Sequence, residues 1–381
     1  MKVMIACDSF KESLDAEDVV RVIAEAFEDV FPNISCVRCP MADGGEGTVA
    51  AFVTATGAQR IEATVTGPLG APVKAGFGLS ADGELAVIEL AEAAGLMLVP
   101  PAERDPCRAT TRGVGELVKL ALDRNCRRVV LAVGGSATND GGAGLAQALG
   151  ARLLDAGGRE IGAGGLALRD LARIDISALD PHLKDVTVDL ACDVDNPLLG
   201  PDGASAMFGP QKGASPAMVT ALDEALGRYA QRLRDDVGRD VAHVSGAGAA
   251  GGTAAGAMAF LDARMRSGFE LMAGLLGLEE KIREVDLVIT GEGRLDEQTA
   301  RGKVPAGVAS MARRQGKPVI ALGGSLGKGV DSLGEVGIDA VFGSVPAPAS
   351  LEEVLKHARE NLRRAARNVA LALQIGQRLP R

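Results

Sequence analysis

Five short segments of the chain, which we predict to be loops, combine glycine with acidic, basic and hydroxyl side chains, and each directly follows a run of apolar residues. They are segments 8–11, 42–48, 134–142, 193–197 with 208–213, and 290–296 with 298–303. Carboxylates bind Mg²⁺ and orient attacking hydroxyls, whereas backbone N–H groups and cationic side chains bind phosphate. One such segment could be a simple turn, but five in the same setting predict metal-assisted chemistry on a phosphate group.

The elements that position these segments predict an α/β protein. At both chain ends short apolar runs alternate with amphipathic stretches, which is typical of a parallel sheet covered by helices. The predicted elements are strand 2–7, helix 15–31 with Asp15 as N-cap, strand 35–39, helix 46–56, strand 286–290, helix 299–315, strands 318–322 and 340–342, and a last helix opened by the capping box Ser350…Glu353. Ligands in such sheets bind at the carboxyl ends of the strands, which favours segments 8–11 and 42–48.

The middle of the chain has a different pattern. Three apolar or alternating runs separated by Gly, Pro and Asp turns predict an antiparallel meander, and helices and strands then alternate again. The runs are 60–65, 73–79 and 85–90, followed by helix 111–124, strand 128–133, helix 141–149, strand 185–192 and helix 216–237. We therefore expect one parallel-sheet domain built from residues 1–66 and 281–381, and a second α/β domain inserted as residues 67–280.

Composition excludes several classes of protein. The net charge of −9 and the lack of a basic patch with interleaved aromatic residues argue against nucleic acid as a partner. The first apolar run is too short for a signal peptide and none reaches membrane-spanning length, so we expect a cytoplasmic protein without a membrane partner. Neither a P-loop nor a protein-kinase signature is present. Residues 246–251 match G-x-G-x-x-G, but the strand and acidic residue of a dinucleotide fold do not frame them.

Taken together, the motifs resemble those of the bacterial glycerate kinase family, in the same order and across nearly the whole chain. They are D-S-F-K at 8–11, A-D-G-G-E-G-T at 42–48, G-G-S-A-T-N-D-G-G at 134–142, D-V-D-N-P at 193–197, F-G-P-Q-K-G-A at 208–214, G-A-G-A-A-G-G at 246–252 and G-E-G-R-L-D-E-Q-T at 291–299. One departure is Glu12, where the family commonly has a small residue.

The resemblance implies phosphorylation of D-glycerate by ATP with Mg²⁺, usually at the 2-hydroxyl. It also implies a Rossmann-like domain, an inserted flavodoxin-like domain and an active site in the cleft between them. Three alternatives stay open: the same kinase giving 3-phosphoglycerate, a dehydrogenase using residues 246–251, and a non-catalytic sugar-acid sensor. The oligomeric state, the enantiomer and the nucleotide preference cannot be read from the sequence.

Within this family we expect the substrate to be held by the first and last segments. A small organic anion needs a bidentate cation, for which Arg294 is the candidate. Lys11 would bridge the substrate and the γ-phosphate and would count among the catalytic residues. Asp8, Ser9 and Asp43 are further candidates for substrate binding.

The ATP phosphates would be cradled by segment 134–142, where a strand leads into a helix whose N-terminus attracts phosphate. The candidate cofactor-binding residues are Gly134, Gly135, Ser136, Thr138, Asn139 and Lys212. Asp140 immediately precedes the helix, so a structural role as helix cap is the expectation for that carboxylate.

Asp193 and Asp195 are the candidates for metal ligand and general base. In an extended backbone, residues two apart present their side chains on the same side. Asp43 and Glu46 are the competing pair for these roles. Glu46 and Glu292 join Asp193 as candidate Mg²⁺ ligands.

Overall fold

The computed structural model describes residues 1–379, and these residues form an α/β protein with mostly parallel sheets. The thirteen strands of the described residues are β1 (Lys2–Cys7), β2 (Ser35–Arg38), β3 (Gln59–Thr66), β4 (Pro72–Leu79), β5 (Leu85–Glu89), β6 (Arg128–Ala132), β7 (Arg152–Leu154), β8 (Arg173–Asp175), β9 (Thr187–Ala191), β10 (Arg264–Arg266), β11 (Leu287–Leu295), β12 (Val319–Leu326) and β13 (Ala340–Gly343). The α/β class predicted from the alternation of apolar runs and amphipathic stretches is confirmed.

Thirteen α-helices connect and cover the strands within the same residues. They are α1 (Ala16–Glu28), α2 (Thr48–Thr56), α3 (Leu90–Ala94), α4 (Arg112–Leu122), α5 (Ala143–Ala148), α6 (Ala204–Phe208), α7 (Pro216–Arg232), α8 (Ala249–Phe260), α9 (Gly268–Leu275), α10 (Leu278–Arg283), α11 (Val304–Arg314), α12 (Leu351–Lys356) and α13 (Ala358–Gly376). No helix of residues 1–379 is both long and apolar enough to cross a membrane.

The chain divides into two compact units. The first comprises Met1–Asp43, Ala50–Thr56 and Phe269–Arg381, and the second comprises Gly44–Val49 and Gly57–Gly268. The domain boundaries expected near residues 67 and 280 stay a prediction.

A five-stranded parallel sheet in the order β13-β12-β11-β1-β2 forms the centre of the first unit. This is the 2-1-3-4-5 order of a doubly wound sheet, which differs from the 3-2-1-4-5-6 order of the Rossmann fold. In such sheets a ligand crevice lies where the strand connections change direction. Here that switch point lies between β1 and β11.

Helices α1 and α13 pack together on one face of this sheet, and their apolar residues share a core with alternate residues of β1, β11 and β12. The predicted N-cap is confirmed, because the Asp15 side chain accepts a hydrogen bond from Asp18 N. The predicted capping box at Ser350 and Glu353 is also present. The last helix, however, is two helices, α12 and α13, separated at His357.

The fifth polar segment is not a loop, contrary to the prediction. Strand β11 continues through residues 291–295 and stays paired with β12 as far as Leu295 and Leu326. Gly291 and Gly324 allow this close pairing, because a Cβ on either would lie 2.1 Å from Leu322 O or 2.4 Å from Gly293 O, respectively. Glycine here permits close backbone approach and does not mark a turn.

The second unit is built on a six-stranded sheet in the order β10-β9-β6-β5-β4-β3. Strands β5, β6, β9 and β10 are parallel, whereas β3 and β4 run antiparallel along the edge. The predicted meander of three runs is therefore confirmed. Glu89, Ala132 and Ala191 pair across the sheet as the last residues of β5, β6 and β9, so three parallel strands end at one level.

Candidate active site

The carboxyl ends of β1 and β11 bring acidic side chains together at the switch point of the first unit. Asp8 N donates a hydrogen bond to Gly291 O (2.9 Å), which places Asp8 beside Glu292. On the other side of β1, Met41 N donates to Cys7 O (2.9 Å), and Asp43 follows two residues later. Three of the predicted site carboxylates thus lie at neighbouring strand ends.

The Asp8 carboxyl is the most perturbed of these groups. It is 8% exposed, and one oxygen accepts a hydrogen bond from Ser9 N (2.6 Å). Burial, and then the negative charges of Asp43 and Glu292, raise the pKa of Asp8 to about 7, although Lys11 opposes this shift. Like charges at one strand end are a common arrangement at sites that bind a cation or transfer a proton.

Glu292 is already engaged by its neighbours. Its carboxylate accepts hydrogen bonds from Thr299 Oγ1 (2.6 Å) and Lys303 Nζ (3.3 Å). Burial nevertheless raises the pKa of Glu292 above its ordinary value, with these two partners acting in the opposite sense. A carboxylate with both oxygens occupied is less available as a metal ligand than the sequence suggested.

The two predicted substrate-binding cations of this unit reach solvent. Lys11 is exposed at the tip of a tight turn in which Phe10 and Leu14 exchange backbone hydrogen bonds of 2.8 and 2.9 Å. Glu12, the next residue in that turn, has a left-handed backbone with φ 65°. The Arg294 side chain is 66% exposed, and its Nε lies 3.1 Å from Asp296 Oδ2, which orients the guanidinium.

In the second unit, residues 134–142 (the glycine loop) follow β6. Gly134 N donates to Gly44 O (3.3 Å), Ala137 N donates to Ala94 O (2.9 Å), and Leu96 N donates to Gly135 O (2.8 Å). Gly135 has φ +72° and is exposed. Among residues 1–379, no acceptor takes the N–H group of Gly135, at the exposed tip of the loop, or that of Ser136, which is 7% exposed.

The helix after the glycine loop does not offer its N-terminus to phosphate, contrary to the prediction. The wholly buried Asp140 carboxylate accepts hydrogen bonds from Gly142 N and Gly144 N (3.2 Å each) and from Thr111 N and Oγ1 (2.8 and 2.9 Å). The structural role expected for Asp140 is confirmed. The amides that a phosphate would need are therefore taken by the chain's own carboxylate.

Three predicted cofactor-binding side chains lie beneath the loop. Lys212 is 2% exposed, and its Nζ donates to Ser136 Oγ (2.8 Å) and Thr138 O (2.7 Å). Burial lowers the pKa of Lys212 to about 7. Thr138 and Asn139 are fully buried, and Asn139 Nδ2 donates to Ser205 Oγ (2.9 Å). The Lys212 and Asn139 side chains thus hold the loop from inside the unit, whereas Thr138 takes part through its backbone carbonyl, and its hydroxyl has no partner among residues 1–379.

The motif at residues 246–251 also supports the glycine loop. Gly141 N donates to Gly251 O (3.0 Å), and a Cβ on Gly251 would lie 2.0 Å from Thr138 O. Ala250, Gly251 and Gly252 are left-handed, with φ of 53°, 65° and 83°. The glycines therefore let two backbone segments touch, and no strand precedes them as it does in a dinucleotide fold.

Asp193 and Asp195 follow β9 and are both exposed. Asp193 Oδ1 accepts a hydrogen bond from Gly268 N (3.0 Å). Within the described part of the chain, the Asp195 carboxylate takes part in no hydrogen bond or ion pair, so it is open to solvent and ligand. The catalytic assignment of these two residues stays a prediction.

One buried carboxylate at the same sheet edge was missed by the sequence analysis. Glu89 ends β5, is 5% exposed and accepts hydrogen bonds from Gly47 N (3.2 Å) and Val49 N. Burial raises the pKa of Glu89 to about 7. The sequence signal that could have identified Glu89 was its position as the single charged residue near the end of an apolar run predicted to be a strand.

Carboxylates suited to Mg²⁺ are present, but no preformed cage exists. Among residues 1–379, no group of three or more His, Cys, Asp or Glu side chains could hold a metal ion. Mg²⁺ usually binds one or two carboxylates and completes its shell with water and substrate phosphates. The crowded carboxyls of Asp8 and Asp43 fit this requirement, because a cation would relieve the repulsion between them.

Comparison with known proteins gives a consistent result. A family model described as "Glycerate kinase family" matches residues 3–374. The chain is 52% identical to "Glycerate 2-kinase" of Escherichia coli (strain K12), with 99% of each chain covered. It is 48% identical to "Glycerate kinase" of Bacillus subtilis (strain 168), again over 99% of each.

The fold comparison agrees. A crystal structure assigned as glycerate kinase 2 from Salmonella typhimurium LT2 superposes with a TM-score of 0.88, at 51% identity and with 100% of both chains covered.

Proposed function

This chain belongs to the glycerate kinase family, and we propose that it transfers the γ-phosphoryl group of ATP to the 2-hydroxyl of D-glycerate, giving 2-phosphoglycerate. The observation that carries the proposal is the 52% identity to a glycerate 2-kinase over 99% of both chains. That relative also favours the 2-hydroxyl over the 3-hydroxyl as acceptor. Close packing of Gly251 against the glycine loop counts against a nicotinamide site there.

For the phosphates of ATP, the proposed donors are the backbone N–H groups of Gly135 and Ser136. Neither N–H group has an acceptor among residues 1–379; Gly135 is exposed, whereas Ser136 is 7% exposed. Fixed N–H groups stabilise phosphoryl oxygens without reorganising during the reaction. Lys212 fixes the loop from below through Ser136 and Thr138. Thr138 and Asn139 have fully buried side chains, so they would act indirectly, Thr138 through its backbone carbonyl, which accepts from Lys212, and Asn139 through its hydrogen bond to Ser205.

For glycerate, the proposed carboxylate partner is Arg294. Its Nε is occupied by Asp296, which leaves the two terminal nitrogens to bind a carboxylate in a bidentate manner. Lys11, exposed at its turn tip, would neutralise charge between the substrate and the γ-phosphate. Asp8, Ser9 and Asp43 would bind the substrate's polar groups or its associated cation.

Mg²⁺ fits the acidic composition of the strand ends, and when bound it neutralises phosphate charge and orients the γ-phosphate. The predicted ligands Asp193 and Glu46 are exposed carboxylates able to bind it. Glu292 is the weaker candidate because Thr299 and Lys303 occupy its oxygens. Asp8 and Asp43 are the pair whose mutual repulsion a cation would relieve most directly.

The general base is proposed to be Asp195. Asp193 uses Oδ1 to accept from Gly268 N, whereas no side chain of the described residues occupies the Asp195 carboxylate. A free carboxylate can take the proton of the attacking hydroxyl as the phosphoryl group is transferred. Asp195→Asn should then lower kcat by orders of magnitude while the protein still melts cooperatively. Near-normal turnover would pass the role to Asp193.

The decisive assay is ADP release from ATP and Mg²⁺ with D-glycerate, with L-glycerate, and without acceptor. Rapid ADP formation that requires D-glycerate is the expected result. The phosphorus–proton coupling pattern of the product identifies the phosphorylated hydroxyl. Absence of turnover with either enantiomer, in protein shown to be folded, would refute the proposed function, and a 3-phosphoglycerate product would refute its regiochemistry.

A further inference from the structure

We infer that Glu89 is a positioning residue for the reaction: its buried carboxylate anchors residues 44–48 (the acidic loop) and thereby fixes Glu46 beside the glycine loop. The inference rests on the proposed function for its kinetic consequences. The anchoring itself follows from geometry and can be tested without turnover.

The carboxylate of Glu89 spans the point where the acidic loop turns into α2. It accepts from Gly47 N at Oε2 (3.2 Å) and from Val49 N at Oε1. These N–H groups belong to a helix start, where they have no partner within the helix. Thr48, fully buried, donates its hydroxyl to Gly45 O (2.8 Å) and closes the turn from inside. The loop is thus tied to the end of β5 by a side chain 40 residues away in sequence.

The anchored loop lies across three strand ends. A Cβ on Gly44 would be 2.8 Å from Ala191 Cβ at the end of β9, and a Cβ on Gly134 would be 2.7 Å from Gly45 Cα. Gly44 O accepts from Gly134 N (3.3 Å). The acidic loop therefore rests on β5 through Glu89, on the residues after β6, and on β9. Among the described residues, only Glu89 supplies two side-chain acceptors to the acidic loop.

These contacts of the acidic loop determine the position of Glu46. A Cβ on Gly135 would lie 3.0 Å from Glu46 Oε1, so the Glu46 carboxylate stands directly beside Gly135, whose N–H group is proposed to bind phosphate. Glu46 itself is exposed. A shift of the acidic loop by one ångström would move this carboxylate relative to the phosphates and to any cation bound with them.

Burying the Glu89 carboxylate costs free energy, so a charged group would be an unfavourable choice for a contact with a purely structural role here. Arg60, whose positive charge lowers the pKa of Glu89, is already bonded to both oxygens of Glu92 (2.8 and 2.9 Å). Glu89 is therefore compensated chiefly by two backbone N–H groups. Burying a carboxylate costs free energy unless its oxygens are well bonded. The hydrogen bonds that compensate this carboxylate are the ones that hold the acidic loop in place.

The experiment compares Glu89→Gln and Glu89→Asp with the matched control Asp189→Asn. Asp189 is a buried carboxylate on β9 of the same sheet, and it pairs with Arg128 (2.7 Å) without touching either loop. Glu89→Gln keeps the shape and removes the charge, whereas Glu89→Asp keeps the charge and withdraws the acceptor. If Glu89→Gln fails to fold, Glu89→Asp carries the test.

Two readouts are expected to agree. Hydrogen–deuterium exchange of the peptide covering 44–56 should accelerate in both Glu89 variants and not in Asp189→Asn. The kcat/KM should fall by about 10- to 100-fold in the Glu89 variants, as is typical when a partner that orients a site residue is lost. The loss should reside in kcat and in the Mg²⁺ concentration giving half-maximal rate, and less in KM for glycerate.

A double-mutant cycle separates positioning from general loosening. If Glu89 acts through Glu46, the effect of Glu89→Gln should largely disappear in a Glu46→Gln background. Full additivity, unchanged exchange of the acidic loop, or kinetics equal to those of Asp189→Asn would each overturn the inference. Absence of wild-type turnover would instead refute the proposed function, and the exchange measurement would still decide whether Glu89 anchors the loop.

Discussion

The switch point of the first unit and the glycine loop of the second unit both lie at the carboxyl ends of parallel strands, yet they present different groups. At the switch point the polar groups are side chains: two buried carboxyls, Asp8 and Glu292, and two exposed cations, Lys11 and Arg294. At the glycine loop the open groups are backbone N–H, and the charged side chains Asp140 and Lys212 are buried beneath them.

The two regions use charged side chains in different ways, either to reach out to a ligand or to hold a backbone loop. A side chain that reaches out can be replaced with little effect on the fold, because its surroundings already include solvent. A buried charge that holds a backbone loop cannot, because its removal leaves unpaired partners inside the protein. We therefore expect substitutions of the exposed cations at the switch point to change ligand affinity and rate, and substitutions of the buried charges beneath the glycine loop to change stability as well.

Among substitutions at the switch point, the largest kinetic effect is expected for Arg294→Lys. An ammonium group cannot reproduce the planar bidentate contact of a guanidinium with a carboxylate. The kcat/KM for D-glycerate should fall by about a hundredfold, while the melting temperature stays within experimental error. Steady-state kinetics and thermal melting measure both quantities.

Arg314→Lys is the control for this change, since Arg314 lies at the end of α11 and its side chain bonds, within residues 1–379, only to Ser310. It should leave both quantities unchanged. A fall in melting temperature for Arg294→Lys that matches its kinetic loss would erase the proposed difference between the two regions.

Gly251→Ala should produce the largest loss of stability. The added Cβ would lie 2.0 Å from Thr138 O, in a left-handed backbone with φ +65°. Overpacking and left-handed strain together should lower the free energy of unfolding by about 3–5 kcal/mol. Chemical denaturation measures the loss.

Gly238→Ala is the matched control, because Gly238 has φ +76° but nothing within 4 Å of an added Cβ. Only the strain remains there, about 1 kcal/mol. Equal losses in the two variants would show that the glycine loop does not depend on close contact with residues 246–252.

Elements of the fold could be predicted from the sequence where a single physical feature determined them. The period of apolar residues predicted β1 and α1, and the side-chain oxygens of Asp15 and Ser350 predicted helix starts. The structural role of glycine was predicted less well, because glycine occurs both in turns and where two strands lie very close together. Gly291 and Gly293 were therefore assigned to a loop, although they lie within β11.

The candidate site was predictable as a set of segments but not as a set of contacts. Lys212 and Asn139 were predicted to bind a cofactor, and their burial beneath the glycine loop depends on packing that no local pattern encodes. Glu89 was missed because its partners, Gly47 and Val49, are distant in sequence. The occupation of a helix start by Asp140 was expected, yet its consequence for phosphate binding required the structure.

Lys212→Met tests the buried charge directly through pH. Burial lowers the Lys212 pKa from 10.5 to about 7, so between these values the unfolded chain holds a proton that the folded protein has released. Stability contributed by this group therefore rises with pH from about 7 toward 10.5. The melting temperature of the wild-type protein relative to Lys212→Met should increase by several degrees over this range.

The exposed Lys119 offers the comparison, since it lies at the protein surface and pairs with Asp180 (3.1 Å). The difference between wild type and Lys119→Met should not rise in this way between pH 7 and 9. A flat difference for Lys212→Met would indicate that Lys212 keeps its proton in the folded protein.

Asp8→Asn should give the smallest effect, of opposite sign. Burial and Asp43 raise the Asp8 pKa from 3.8 to about 7, so between these values the folded protein holds more protons than the unfolded chain. The stability contributed by protonated Asp8 is complete below about pH 4 and is lost as pH rises to about 7. The wild-type melting temperature relative to Asp8→Asn should fall across this window by nearly as much as it rises relative to Lys212→Met, because the two pKa values are shifted almost equally far, and it should stay level above the window. If added Mg²⁺ shifts that fall to lower pH in the wild type alone, Asp8 lies next to the cation. If Mg²⁺ leaves it unmoved, the acidic pair at the switch point binds substrate and not metal.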